Sequence, residues 1–285
     1  MSKIAIVTDS SCDLPNELVE KFNITVVPLR INFSHGEYRD GIDISSDEVA
    51  DQLKTEVPKT SMPSPEDIEQ TFIQLRDAGY THCIALTISS NMSGTYNTFR
   101  IIAEDFEGMK VEVVDTKGLS WVLGLIVLEA ARMIQDKFDF QDILNAMDEI
   151  KEKVKGFFVI DTLEYLREGG RIGRVTASLG TMLNLKPVIT VAPDGRFVSY
   201  GMGRGKKQGV KKMLVPIMEQ LESARSSIAI FHSKAEAEAE ALKEKFKDLE
   251  NVCDLYISSI SPTLLVHAGP GILGIAISTF RKEDQ

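Results

Sequence analysis

The sequence predicts an α/β protein of two domains, and two observations carry this prediction. In the first half of the chain, short apolar runs rich in β-branched residues alternate with helical segments, a rhythm typical of a parallel, Rossmann-like sheet. After about residue 155 the rhythm changes to two strands around a Pro-Asp-Gly turn, which indicates an antiparallel hairpin. We therefore predict a Rossmann-like domain over residues 1–154 and an α/β domain with a mixed sheet over residues 155–285.

The elements of the first domain follow from periodicity and capping signals. Strands are predicted at residues 4–7, 24–33, 82–88 and 111–114, with a hairpin near residues 36–41. Helices are predicted at residues 15–22, 45 or 46 to 54, 65–78, 95–106, 118–136 and 141–155. The start at Ser64 and Pro65 is the clearest, because a capping serine precedes proline at the first helical position. The helix over 118–136 is apolar around most of its circumference, which predicts burial on several sides.

The second domain has fewer helices and more strand signals. Strands are predicted at residues 157–160, 187–191, 197–200, 227–231, 253–258 and 273–279. One helix is predicted to begin with residues 163–167, and two more are predicted over residues 209–222 and 234–249. The last two strands flank a turn that contains His267.

Composition excludes several classes of protein. The chain has 285 residues, of which 43% are hydrophobic and 26% charged, as in ordinary globular proteins. A net charge of -10 disfavours non-specific binding to nucleic acid or anionic membranes. The three cysteines, Cys12, Cys83 and Cys253, are far apart and favour a reducing compartment over a disulfide framework. No signal peptide or transmembrane run is expected, because the longest apolar run covers only residues 121–128, so we expect a cytoplasmic protein.

Three donor-rich segments, at residues 60–64, 89–95 and 267–271, suggest a site for an anionic or polar head group. Ser93 and Gly94 precede a predicted helix, whose free N–H groups favour an anion. Plain capping is the alternative interpretation. The second hydroxyl-rich segment, at residues 60–64, favours a ligand site over plain capping, because loops after parallel strands gather at one sheet edge.

His267 lies between glycines and a predicted strand, where it can donate to a carboxylate directly or through a hydroxyl. The alternative is an ordinary surface or core histidine. Residues 269–274 match Gly-x-Gly-x-x-Gly literally, but no helix is predicted after them, as a dinucleotide site requires. Residues 201–206 lack the spacing of a phosphate-binding loop. No cluster has metal-ligand spacing.

Basic residues gather in two places in this acidic chain. Arg171 follows a short helix and a Gly-Gly turn, and Arg204 and Lys206 begin a run that continues with Lys207, Lys211 and Lys212. Such residues are either a solvated surface or a docking site for an acidic partner.

An enzyme using Ser93 and His267 as a hydrolase or transferase is a second hypothesis, although no Gly-x-Ser-x-Gly turn is present.

Several ordered motifs resemble the DegV family over essentially the whole chain. They lie at residues 8–14, 60–64, 89–96, 161–172 and 269–271. The resemblance implies a carrier that binds one long-chain fatty acid, such as palmitate, stearate or oleate, without a further cofactor. It also implies a partner, an ATP-binding kinase subunit that phosphorylates the presented carboxylate to an acyl phosphate for phospholipid synthesis.

The resemblance also implies roles for particular residues. Thr60 or Ser61, Ser93 with the Gly94 amide, and His267 would hold the carboxylate. Arg171 and the Arg204–Lys206 cluster would contact the kinase subunit. Two residues depart from the family pattern: Met62 stands where glutamine is common, and Met92 stands where leucine is common.

A fatty acid also requires a long apolar enclosure. Burying each methylene contributes about 0.8 kcal/mol, so a chain of about 16 carbons gains roughly 10 kcal/mol if fully enclosed. The apolar helix over residues 118–136 is a candidate wall, with simple core packing as the alternative. The side chains that suggest it are Trp121, Leu123, Leu125, Ile126 and Leu128.

Overall fold

A computed structural model describes residues 2–175 and 185–279, which form three sheets and the helices around them. The strands are β1 (Ile4–Asp9), β2 (Ile24–Val27), β3 (Arg30–Phe33), β4 (Gly36–Arg39), β5 (Lys59–Ser61), β6 (His82–Thr87), β7 (Lys110–Asp115), β8 (Val154–Val159), β9 (Leu185–Val191), β10 (Phe197–Arg204), β11 (Ser226–His232), β12 (Val252–Ser259) and β13 (Leu273–Thr279). The helices are α1 (Asn16–Lys21), α2 (Ser46–Gln52), α3 (Pro65–Asp77), α4 (Thr95–Glu104), α5 (Trp121–Gln135), α6 (Phe140–Lys153), α7 (Glu164–Glu168), α8 (Lys206–Ser223), α9 (Glu236–Phe246) and α10 (Pro262–Ala268).

The N-terminal part contains the predicted parallel sheet. Its strand order is β2-β1-β6-β7, and every neighbouring pair is parallel. Successive side chains of a strand point to opposite faces, so Ile4 and Ile6 pack with the core around α5 whereas Ala5 and Val7 pack with α3 and α4. Covering both faces explains why the two central strands, β1 and β6, are apolar over most of their length. The Rossmann-like architecture is confirmed.

A small antiparallel sheet of order β4-β3-β5 extends from the first sheet. The sequence predicted one strand over residues 24–33, but Pro28 separates β2 from β3 in two different sheets. Proline lacks the N–H that a continuous strand would donate. Thr60, in the donor-rich segment at residues 60–64, lies on β5 opposite Ile31, where the sequence predicted no strand.

The C-terminal part contains the predicted mixed sheet, of order β10-β9-β8-β13-β11-β12. Only β11 and β12 are parallel, and every other neighbouring pair is antiparallel. Helices α8 and α9 cover one face, where Met213, Ile217 and Phe246 are buried. The mixed sheet and its β9–β10 hairpin are confirmed, and α6 ends at Lys153 where β8 begins at Val154.

Helix α5 lies between the two large sheets. Eleven of its 15 residues are buried, and it packs against β1 and β6 on one side and against β8, β11 and β13 on the other. The prediction of burial on several sides is confirmed. The same contacts make α5 the main apolar connection between the domains.

His267 lies in α10, so the predicted turn at this residue is wrong. The helix starts with Ser261 at the N-cap and Pro262 at its first position, the same signal that marks α3 at Ser64 and Pro65. Because α10 precedes residues 269–274 and β13 begins within them at Leu273, the glycines there do not have the preceding strand and following helix that flank a dinucleotide site.

No helix in the described part of the chain is long and apolar enough to cross a membrane.

Candidate ligand-binding cavity between the domains

A cavity of about 350 Å³ lies between the domains, within the range of about 300–1,000 Å³ that is typical of small-molecule sites. Most of its lining is apolar. The apolar lining residues are Leu29, Met62, Ile88, Met92, Leu119, Val122, Gly156, Phe158, Leu166, Val191, Phe197, Phe231, Ile260, Leu264, Ala268 and Ile272. An apolar enclosure of this kind binds an apolar ligand.

The predicted wall of this cavity is wrong in detail. Of α5, only Val122 lines the cavity, together with Leu119 and Ser120 just before the helix. The five residues named from the sequence, among them Trp121 and Leu123, are packed in the core instead. Part of the lining comes from β8, β9, β10 and α10, which sequence periodicity did not connect to a ligand.

One end of the cavity is polar, and the residues that the resemblance assigns to a carboxylate meet there. Thr60, Ser61, Ser93, Gly94 and His267 all line it. Ser61 and Gly94 are exposed, so these five residues form a mouth that opens to solvent. The expected gathering of loops at one edge of the parallel sheet accounts only for the Ser93 loop, which follows β6. Thr60 lies on the small sheet and His267 lies on α10.

Thr60 and His267 are hydrogen-bonded to each other across 207 residues of sequence. The distance between Thr60 Oγ1 and His267 Nε2 is 2.8 Å. The neighbouring Ser61 hydroxyl instead accepts from Asn32 Nδ2 at 3.2 Å, because successive side chains of β5 point to opposite sides. Of the two alternatives left by the sequence, Thr60 is the residue paired with His267.

His267 is neutral near pH 7. Burial, with a smaller contribution from the Arg171 guanidinium, lowers its pKa to about 4. If His267 Nε2–H donates to Thr60 Oγ1, the Thr60 hydroxyl proton is free to point into the cavity. A carboxylate only accepts hydrogen bonds, so its binding would select this tautomer. The pair can therefore act as a relay that ends in a hydroxyl donor.

Ser93 and Gly94 lie at the start of α4. Gly94 is the N-cap and has no side chain to cap the helix, but the Ser93 hydroxyl accepts from the Thr95 N–H at 3.3 Å, so the capping alternative holds for one free N–H of α4. The Ser93 hydroxyl lies 2.8 Å from Thr95 Oγ1. Met62 covers Gly94 from outside, since a Cβ added at Gly94 would lie 2.4 Å from Met62 Sδ. Met62, which stands where glutamine is common in the family, thus lies at the mouth.

Arg171 also lines the cavity, although the sequence assigned it to partner contact. Its Nε donates to the Met92 carbonyl at 3.2 Å, and Nη1 donates to the Gly169 carbonyl at 2.6 Å. Within the described residues it forms no ion pair with an acid. A cation without a counter-charge beside the mouth is suited to an anionic head group.

The remaining basic residues lie outside the cavity lining. Arg204 is exposed at the end of β10. Lys206, at the start of α8, pairs with Glu238 at 3.1 Å between Lys206 Nζ and Glu238 Oε1. Glu238 therefore offsets part of the positive charge at this position.

The geometry does not join Ser93 and His267 as a nucleophile and its base. In the described chain, His267 Nε2 bonds to Thr60, and His267 Nδ1 has no hydrogen-bond partner and lies against Gly169. A hydrolytic pair needs the base within hydrogen-bond reach of the nucleophile. Over residues 2–175 and 185–279, no group of three or more potential metal ligands is found either.

Three buried aspartates support the site, and the sequence analysis gave them no role. Asp9 accepts from the Ile88 N–H at 2.7 Å and so fixes the start of the loop that carries Ser93. Asp13 accepts from the Ser261 N–H at 2.7 Å, and Asp40 accepts from the Thr263 N–H at 3.0 Å. The last two hold the start of α10, and hence His267, from the N-terminal domain. These contacts span more than 200 residues, which periodicity cannot detect.

Asp13 is expected to make stability depend on pH. Burial raises its pKa from 3.8 to about 7, although hydrogen bonds from Ser120 and Ser261 oppose the shift. Between these two values the folded protein holds a proton that the unfolded chain has released. The contribution to the free energy of unfolding therefore falls as pH rises through this window, by at most about 1.4 kcal/mol per pH unit.

Asp13→Asn tests this expectation. The amide oxygen can still accept from the Ser261 N–H, and the amide nitrogen can donate to Ser120 Oγ. Thermal unfolding of both proteins from pH 5 to pH 8 should show the variant gaining stability relative to the wild type as pH rises. A constant difference across this range would contradict a raised Asp13 pKa.

The chain is similar over nearly its full length to one family of known proteins. A family model described as "Uncharacterised protein, DegV family" matches residues 3–279. A DegV domain-containing protein from Clostridium acetobutylicum is 39% identical over 282 residues, covering 99% of this chain and 100% of that protein.

Solved structures match over almost the full length as well. A DegV family protein from Thermus thermophilus, described as binding fatty acid, has 31% identity and a TM-score of 0.91, covering 98% of this chain and 100% of its own. A stearic-acid-binding protein from Eubacterium ventriosum has 28% identity and a TM-score of 0.88, covering 98% of each chain.

Proposed function

Because this chain belongs to the DegV family, we propose that it binds one long-chain fatty acid in the cavity between its domains. The observation that carries the proposal is the lining of this cavity, which is apolar over most of its surface and brings Thr60, Ser93 and His267 together at its mouth. Such a cavity matches a ligand with a long hydrocarbon chain and one carboxylate. Structural relatives described as fatty-acid-binding proteins support the same ligand class.

The mouth supplies donors without a competing acid. The Thr60 hydroxyl, oriented by His267, and the Ser93 hydroxyl would donate to the carboxylate oxygens, with the Gly94 amide at the start of α4 beside them. Arg171 would supply the counter-charge. Hydrogen bonds to a charged group are stronger than neutral ones, and they offset the cost of taking a carboxylate out of water.

We further propose that the chain is a carrier, which presents its carboxylate to an ATP-binding kinase subunit rather than reacting by itself. Exposure of Ser61 and Gly94 leaves the mouth open to a partner. Arg204 and Lys206 would contact that subunit, Lys206 less strongly because Glu238 pairs with it. The expected product is an acyl phosphate, which should form only when the carrier, the kinase subunit and ATP are combined.

Thr60→Val is expected to weaken fatty-acid binding by about 1–3 kcal/mol, or roughly 5- to 150-fold in Kd. Valine has nearly the shape of threonine but cannot donate, and it leaves His267 without its partner. Displacement of a fluorescent fatty acid from the purified variant measures the change. His267→Ala and Ser93→Ala should weaken binding by a similar amount.

Thr71→Val is the matched control, because that hydroxyl bonds only within α3, to the Asp67 carbonyl at 2.8 Å. Its affinity should equal that of the wild type. Unchanged affinity in Thr60→Val, His267→Ala and Ser93→Ala alike would remove the mouth from the carboxylate site.

A further inference from the structure

The turn between β9 and β10 reaches across to the N-terminal domain. Ser89 Oγ donates to the Gly195 carbonyl at 3.0 Å, and Asn91 Nδ2 donates to the Asp194 carbonyl at 2.7 Å. Arg196 Nη2 in turn donates to Asn91 Oδ1 at 2.9 Å. We call these five residues the latch, because each hydrogen bond joins one domain to the other.

The latch is closely fitted at its centre. Gly195 has φ of +80°, and a Cβ there would lie 2.1 Å from Ser89 Oγ, so only glycine suits this position. Ser89 is fully buried, whereas Asn91 and Arg196 are exposed. The turn is also tied to its own domain, since Arg174 Nη2 donates to Asp194 Oδ1 at 3.0 Å. It can therefore move as a unit with the C-terminal domain.

The residues on either side of the latch form facing walls of the cavity. Ile88 and Met92 flank Ser89 and Asn91 along the chain, and both line the cavity. Val191 and Phe197 flank the turn in the other domain, and they line the cavity too. Breaking the latch would therefore separate two apolar walls at the boundary between the domains.

We propose that the latch controls how fast an acyl chain enters and leaves the cavity. This inference rests on the proposed function, since it concerns exchange of that ligand. The exposed bonds of Asn91 can be replaced by bonds to water at small cost, so opening does not require unfolding. None of the five latch residues lines the cavity, so the latch affects the barrier to exchange more than the affinity.

Asn91→Ala removes two of the three latch bonds and tests the proposal. Stopped-flow measurement with a fluorescent polyunsaturated fatty acid should show the association and dissociation rate constants both rising about tenfold, the effect of losing two exposed hydrogen bonds. The Kd, their ratio, should stay within about twofold of the wild-type value. Ser93→Ala differs, because it should raise Kd.

Asn145→Ala is the matched control: its exposed amide accepts from Gln141 Nε2 at 3.0 Å on α6, outside the latch. Both rate constants should be unchanged in it. Gly195→Ala is a second variant, which displaces the turn from Ser89 and should accelerate exchange further. Unchanged rates in Asn91→Ala and Gly195→Ala would overturn the proposal, as would a change in only one of the two rate constants, which would change Kd.

Hydrogen exchange of the empty protein separates this proposal from the proposed function. Asn91→Ala should speed amide exchange in residues 88–94 and 191–197 together, and leave α6 unchanged. If wild-type protein binds no fatty acid, the proposed function fails, and with it the role of the latch in acyl exchange. Coupled exchange of the two segments would then still show that the latch opens, and unchanged exchange would show that it does not.

Discussion

Replacing Gly156 by leucine is expected to weaken binding of a long-chain fatty acid by about 100-fold. The leucine side chain brings four carbons into the cavity and displaces a similar length of acyl chain. At about 0.8 kcal/mol per buried methylene, the loss is roughly 3 kcal/mol. Titration of stearate against a bound fluorescent fatty acid measures it.

The position of Gly156 makes the effect depend on chain length. β8 runs towards α7, and Gly169 just after α7 lies against His267. Gly156 is therefore further from the mouth than Phe158, by about 6.6 Å along the strand. A short acid such as octanoate should lose much less affinity than stearate. Equal losses of affinity for both acids would contradict this placement and indicate that Gly156 lies near the mouth.

The variant needs a test of folding, because the new Cβ would lie 2.4 Å from Val122 Cγ2. Overpacking of this kind typically costs about 1–3 kcal/mol of stability. Circular dichroism and thermal unfolding should show a folded protein with a lower melting temperature. Retained octanoate binding then confirms that the mouth is intact.

Trp121→Ala is expected to lower the free energy of unfolding by about 3–5 kcal/mol, the usual cost of removing a large buried aromatic side chain. Trp121 is fully buried in α5. Its ring stacks on Tyr256 at 5.1 Å between centroids, and its Nε1 donates to Ser258 Oγ at 2.7 Å. Both partners lie on β12 of the C-terminal sheet, so the residue joins the two domains.

Urea unfolding followed by circular dichroism measures this change, since the chain has one tryptophan and its fluorescence is lost in the variant. Trp121→Phe is the control: it keeps an aromatic ring but not the hydrogen bond to Ser258, and it should lose less stability than the alanine variant. A loss below about 1 kcal/mol in Trp121→Ala would contradict the role of α5 as the connection between the domains.

Local signals predicted the elements better than their placement. The Ser64-Pro65 start of α3 and the apolar strands of the parallel sheet were found because capping and periodicity act over a few residues. The same Ser-Pro signal marks the start of α10 at Ser261, and it places His267 in a helix rather than in the predicted turn. Pro28 likewise marked the break between β2 and β3.

The site could be predicted only as separate pieces. The sequence singled out Thr60 and His267 independently, but their hydrogen bond depends on how a small sheet packs against a helix of the other domain. Asp40 carried no signal, because an aspartate before a glycine is common in loops. Asp13 lies in the family motif at residues 8–14, but nothing in the sequence connected it to Ser261. The roles of Arg204 and Lys206 stay predictions.

Mass spectrometry of lipid extracted from the purified, undenatured protein shows whether a fatty acid occupies the cavity. We expect one long-chain fatty acid per protein molecule, lost or depleted in Gly156→Leu. A protein that contains no fatty acid and also fails to take up added palmitate or oleate would contradict this expectation.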